Sequence, residues 1–128
     1  GNETETGRGK GKGFTYNMPM KHGSGDKEYF SAYNDILPHL VKKFEPDMIL
    51  VSAGYDIRAE DPLSGIRVSD EGIRGIVNGI LSSAERLAFS VQRSAKNSEL
   101  PVIFALEGGY DLQALGKSVL LTIKEMLA

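Results

Sequence analysis

The chain contains no cysteine. Disulfides, thiolate metal sites and a cysteine nucleophile are excluded together, and redox chemistry leaves the compartment open; a cytoplasmic protein is the expectation. Histidine is scarce, with only His22 and His39, and tryptophan is absent. No apolar run approaches the roughly 20 residues that span a bilayer, so no membrane partner is expected. A formal net charge of −2 gives no general attraction to nucleic acid or to an anionic surface. The start, Gly1-Asn2-Glu3-Thr4, is neither a signal peptide nor an initiator methionine, and the chain is expected to be a piece of something longer. What is present is ordinary for a folded domain. The 128 residues, 41% hydrophobic and 25% charged, suffice for one core and not for two.

The stretch Met48-Ile49-Leu50-Val51-Ser52-Ala53-Gly54-Tyr55-Asp56 organises the rest. An apolar, partly β-branched run ends at a small-residue turn and then presents one carboxylate. A buried parallel strand delivers a working side chain to the rim of an α/β sheet in this way. A second copy of the pattern follows in Pro101-Val102-Ile103-Phe104-Ala105-Leu106, then Glu107-Gly108-Gly109-Tyr110. Asp56 and Tyr110 are expected to face one shared site.

Around these strands the remaining elements follow from periodicity. Residues 1–13 form a glycine-rich lead-in loop ending in Gly7-Arg8-Gly9-Lys10-Gly11-Lys12-Gly13, and residues 14–18 read as a short strand. Tyr29, Phe30, Tyr33, Ile36, Leu37, Leu40, Val41 and Phe44 recur at helical spacing, predicting a helix over 26–44 with Asp26 as its N-cap. Pro38 lies inside that helix and is expected to bend it or end it early. Loop 54–68 is too long for a simple connector. Ser69 caps a further helix whose apolar face runs from Ile73 to Val91, Gln92 to Glu99 form a loop, and a last helix carries Leu112, Leu115, Val119, Ile123 and Met126 on one face. The expected fold class is α/β: a β-α-β-α-β-α order building a parallel sheet with helices on both faces.

The chemistry of the two strand ends stays open at this level. A carboxylate such as Asp56 can act as general base, as metal ligand, or only as a turn-former bonding its own backbone. Tyr110 can donate a hydrogen bond to an oxyanion, or be a tyrosine whose ring packs and whose hydroxyl reaches water. Asp61-Pro62 fixes the loop beyond Asp56. Neither histidine lies near a strand C-terminus in the sequence, and a zinc site requires at least three close donors. Ser52 has no base beside it. The chain reads as half of a catalytic site.

At these residues the sequence resembles the zinc-dependent deacetylase family: histone deacetylases, acetylpolyamine amidohydrolases and acetoin-utilisation proteins of the arginase/deacetylase fold. The likeness is carried by Val51-Ser52-Ala53-Gly54-Tyr55-Asp56, Asp61-Pro62-Leu63, Leu106-Glu107-Gly108-Gly109-Tyr110, Gly25-Asp26-Lys27-Glu28-Tyr29 and the lead-in from Gly7 to Asn17-Met18-Pro19, in the family's order and spacing. It covers the whole chain and is similar most to the bacterial and class II-like branch. It implies a single partial domain, 1–128, forming the C-terminal portion of a three-layer deacetylase domain. It implies that Asp56 is the second aspartate of an Asp/His/Asp zinc site, with iron the alternative metal. Tyr110 would hydrogen-bond the acetyl carbonyl as it becomes an oxyanion, Gly108 and Gly109 would shape its turn, and Leu63 would line the acyl-lysine channel. The family's histidine pair and its Asp-x-His ligands lie upstream of the glycine-rich lead-in, so the isolated chain is expected to be inactive. Arg58 and Ser64 depart from the family pattern and are expected to alter the channel rim.

The implied substrate is an acetylated amine or acetyl-lysine, and the implied partners are the missing N-terminal half or a second copy of the chain. The alternative is a non-catalytic α/β module that binds phosphate or RNA through Lys10 and Lys12. A third is a doubly wound domain binding a small molecule at the strand ends without metal.

Overall fold

The computed structural model describes residues 1–90 and 100–128; Val91 and the loop expected over 92–99 lie outside the described residues. Strands β1 (Ile49–Ala53) and β2 (Val102–Leu106) pair in parallel, with Ile49 opposite Val102 and Ala53 opposite Leu106. Alternate side chains, Ile49, Ala53, Val102 and Phe104, turn into two apolar clusters, one built with helices α3 (Asp70–Ser90) and α4 (Leu112–Met126), the other with α3 and with Leu37 and Val41. Ile73, Val77 and Leu121 form one centre, Ala84, Leu87 and Leu100 the other. On the opposite face Leu50 and Ile103 remain 71% and 49% exposed. Among the described residues the helices cover one face of the pair, where cover on both was expected. A strand apolar at every position does not reveal which of its two faces has a neighbour.

Residues 14–18, expected as a strand, are not one. A strand needs a ladder partner for its backbone. Here Phe14 and Tyr16 are exposed, and the Asn17 amide instead donates to the carbonyls of Asn2 (2.8 Å) and Glu5 (3.2 Å). The described order therefore opens on a helix. The glycine-rich loop makes a 3₁₀ turn, Gly9–Gly11, and continues in extended chain. It thus lacks the following helix N-terminus on which a phosphate cradle depends.

The helix expected over 26–44 is continuous but changes pitch: α1 (Asp26–Phe30), a π turn over Ser31–Ile36, and α2 (Leu37–Phe44). Pro38 does not end it: α2 runs on to Phe44. The wide turn just before Pro38, where the Leu37 N–H reaches back to the Ala32 carbonyl, accommodates the missing proline donor. Asp26 is not the N-cap. Gly25 takes that position, its N–H bonded to Glu28 Oε2 (2.9 Å). The Asp26 carboxylate is used elsewhere, accepting from the Ser69 backbone N–H (2.7 Å) and hydroxyl (2.6 Å). Ser69 does cap α3 as expected, its Oγ accepting from the Gly72 N–H (3.3 Å). The two helical layers meet closely: a Cβ on Gly79 would lie 2.6 Å from the Tyr33 carbonyl oxygen.

Loop 54–68 is anchored throughout. It opens on a 3₁₀ turn, Tyr55–Ile57, and closes with Val68 N–H on the Ile57 carbonyl (3.0 Å) and Ala59 N–H on the Val68 carbonyl (3.1 Å). The preceding loop ties to it through Gly23 N–H on the Gly65 carbonyl (2.9 Å) and Arg67 N–H on the Ser24 carbonyl (2.8 Å). Buried Val68 pins its end in the core.

Candidate active site

The parallel register brings the two sequence motifs to one edge. Because Ala53 stands opposite Leu106, the chains leave their strands side by side and remain bonded for one more step: Glu107 N–H on the Ala53 carbonyl (3.0 Å), and Tyr55 N–H on the Gly108 carbonyl (2.8 Å). Asp56 then turns its carboxylate onto Gly108. A Cβ built on Gly108 would lie 3.3–3.5 Å from the three carboxylate atoms, and one on Gly54 2.9 Å from Oδ1. Small residues on both strand ends leave the carboxylate its place.

Gly109 has φ +135°, a left-handed-side conformation that disfavours any side chain, and a Cβ there would meet Leu115 Cδ1 at 2.9 Å. The turn is therefore held against α4 while Tyr110 stands 58% exposed at its tip. Leu63 is also exposed, on the loop that follows Asp56. Asp56, Gly108, Gly109 and Tyr110 are thus gathered on one rim, with Leu63 on the adjoining loop.

Three supporting contacts were not legible in the sequence. Ser64 Oγ donates to the Asp56 carbonyl and accepts from the Ile66 N–H, so it braces the backbone under Asp56 rather than altering the rim by its side chain. Buried Tyr55 bonds Thr122 Oγ1 (2.7 Å), fixing the first turn after β1 to α4. Asp61 accepts from the backbone N–H groups of Tyr110 (2.7 Å) and Leu63 (2.9 Å). An Asp-Pro pair in a long loop is the one local sign of such a residue, and it does not reveal a partner 49 positions away.

Arg58 is a correction. Expected at the rim, it is 2% exposed, its guanidinium paired with Glu60 (3.0 Å) and Asp70 (2.8 Å) and donating to Ser118 Oγ (3.4 Å). It ties the loop to the start of α3 and to α4. His22 packs its ring over Gly65, close enough that a Cβ there would lie 2.4 Å from Cδ2; His39 is exposed on α2.

Burial pushes the Tyr29 phenol up to about 12, helped by Tyr33 and by the charge of Asp56, so Tyr29 is a neutral neighbour of the site. Burial opposes ionisation of Asp61, but the N–H groups of Tyr110, Leu63, Asp111 and Ser64 outweigh it and hold its carboxyl below the usual range. Asp70 is likewise lowered, by Lys117 first and Arg58 second. A depressed carboxylate contributes stability that is present above its unfolded pKa and is lost as pH falls through the folded one. Acid unfolding followed by circular dichroism is therefore expected to begin below about pH 4, with a flat signal from there to neutrality. A transition centred above pH 5 would contradict these assignments.

Among the described residues no group of three or more histidine, cysteine, aspartate or glutamate side chains could hold a metal ion. Asp56 offers a hard oxygen donor on this rim, seated against Gly108. None of the described helices is long and apolar enough to cross a membrane.

Comparison with known proteins decides the family. Residues 1–126 match the histone deacetylase domain. The chain belongs to that family. As a deacetylase-family chain it is 35% identical over 122 residues to histone deacetylase 18 of Arabidopsis thaliana, covering 94% of this chain and 16% of that protein. It is 41% identical over 114 residues to a probable deacetylase of Methanothermobacter thermautotrophicus, covering 89% and 30% respectively. Its fold superposes on the crystal structure of acetylpolyamine aminohydrolase from Burkholderia pseudomallei with a TM-score of 0.79 at 28% identity, over 100% of this chain and 33% of that one. The deacetylase-family chain thus spans less than a third of the length of these two curated relatives.

Proposed function

We propose that this chain supplies the C-terminal wall of the catalytic site of a metal-dependent amide hydrolase that removes acetyl groups from lysine or polyamine-type amines. The observation that carries the proposal is the seating of the Asp56 carboxylate against Gly108 on the rim where Tyr110 emerges. The family match and the names of the relatives, a histone deacetylase and an acetylpolyamine aminohydrolase, support the reaction and the substrate class.

Each residue then has a task. Asp56 offers an oxygen donor to a zinc ion, with iron the alternative; Gly108, lacking a Cβ, leaves that flank of the carboxylate open. Zinc, when bound, polarises the acetyl carbonyl and lowers the pKa of a water. Tyr110 donates its phenol proton as a hydrogen bond to the carbonyl oxygen as negative charge develops there, an interaction stronger in the transition state than with the neutral amide. Gly108 and Gly109 shape the turn that carries Tyr110, and Leu63 lines the acyl channel. The further metal donors and the acid and base come from outside the described residues, and the exposed Leu50 and Ile103 face is covered by the rest of the domain.

Zinc analysis with a deacetylase assay tests the whole. The 128-residue chain by itself is expected to hold no stoichiometric zinc and to turn over neither an acetyl-lysine peptide nor an acetylpolyamine. The complete catalytic domain is expected to do both, and Asp56→Asn in that domain to remove the zinc. Robust turnover by the isolated chain, or full zinc occupancy in the Asp56→Asn domain, would refute the proposal.

A further inference from the structure

Tyr110 carries its functional group on a side chain that is mostly exposed, and among the described residues its hydroxyl has no hydrogen-bond partner. Its position is therefore set by its backbone. That backbone follows a glycine at φ +135° and enters α4, whose N-cap is Asp111, with Oδ1 accepting from the Ala114 N–H (2.8 Å). Between those two points the Tyr110 N–H meets Asp61 Oδ2 at 2.7 Å. The other carboxylate oxygen of Asp61 accepts from the Leu63 N–H at 2.9 Å. Asp61 is 8% exposed, and its own N–H is bonded to the Arg58 carbonyl (3.1 Å), so the carboxylate projects from a fixed base.

We infer that Asp61 is a positioning residue that sets the distance between Tyr110 and Leu63 across the site by holding both backbones with one carboxylate. The inference rests on the proposed function for its catalytic consequence and on the two hydrogen bonds alone for its structural one. Both contacts are charge-assisted, a class roughly twice as strong as neutral hydrogen bonds. The carboxylate also stands at the N-terminal end of α4, where the helix dipole favours negative charge. Its lowered pKa keeps it in the form that accepts from both N–H groups. Asparagine has almost the same shape but only one acceptor oxygen; its NH₂ would face an N–H and lose one of the two bonds. Pro62, which has no N–H, stiffens the step from Asp61 to Leu63, so a shift at the carboxylate passes to both residues.

The structural half is read in the 128-residue chain, without metal or substrate, by amide hydrogen exchange and by the through-hydrogen-bond coupling between the Tyr110 nitrogen and the Asp61 carboxyl carbon. In the wild type both the Tyr110 and Leu63 amides are expected to be protected, and Asp61→Asn to lower protection at one or both by about tenfold or more while amides of β1 keep theirs. Unprotected amides in the wild type, absence of the coupling, or unchanged protection in Asp61→Asn would overturn the inference; the two wild-type measurements decide it even where the variant does not fold. The catalytic half is read in the complete domain. There Asp61→Asn is expected to lower kcat by about 10–100-fold with KM little changed, since a displacement near 1 Å carries that size of effect. Placed on Tyr110→Phe, the same change is expected to cost almost nothing more, because the group it positions is gone. Additive losses in the double variant would overturn the positioning role. Full activity of Tyr110→Phe alone would instead remove the proposed function and leave the backbone tie standing.

Discussion

Tyr110→Phe in the complete catalytic domain is expected to lower kcat by about 10²–10³-fold, the usual effect of removing one donor to an oxyanion. The melting temperature is expected to stay within about 1 °C of the parent, because surface substitutions away from buried features change stability little. The structure separates the two outcomes. The phenol is more than half exposed, while the turn beneath it is held by Gly109 against Leu115 and by the Asp61 carboxylate on the Tyr110 N–H. Deleting one oxygen leaves all of these in place. KM is expected to change far less than kcat, since the bond strengthens only as charge develops on the carbonyl. A wild-type rate in the folded variant would leave Tyr110 as an exposed aromatic without a catalytic part.

Arg58→Ala is expected to destabilise the 128-residue chain by about 3 kcal/mol, within the range for large-to-alanine changes in a core. That corresponds to a fall in Tm of roughly 10 °C for a chain of this size. The side chain is buried, and its loss leaves a cavity among Ser118, Glu60 and Asp70. Burial works against its charge, but Glu60 and Asp70 outweigh that and raise its pKa, so it is ionised at every relevant pH. Arg58→Met separates volume from charge. Methionine refills most of the space and relieves the desolvation of a buried ion, and Asp70 retains Lys117 as a partner. Replacing a buried pair by a packed apolar side chain is often nearly neutral, so Arg58→Met is expected to cost less than about 1.5 kcal/mol. Equal losses in the two variants would show that the charge matters and the volume does not. An alanine variant as stable as the parent would contradict the burial itself.

Much of the framework was legible along the chain because it depends on neighbours a few residues apart. The apolar runs ending at Ala53 and Leu106 identify the strands, the 3.6-residue spacing from Ile73 to Ala88 identifies α3, and Ser69 marks its start. The glycines flanking each strand end mark where side chains are delivered. The errors have a common source. Residues 14–18 have strand composition but no partner ladder; Asp26 has cap chemistry but is bonded across to Ser69; Arg58 lies beside the motif yet turns into the interior. Each outcome was decided by a group far away in the chain. The same holds for Asp61, whose partner in the Tyr110 backbone could not be read from its neighbours.

The sequence by itself determined the α/β class and the parallel sense of the two strands, because periodicity is local and the crossover through α3 sets the strand direction. Only the tertiary structure decided which face of the sheet is covered, that Arg58 is interior, and that one carboxylate joins Leu63 to Tyr110. Those contacts are made between segments that approach only once the chain has folded. A hydrogen bond's partner is chosen by distance in space, which position along the chain does not encode.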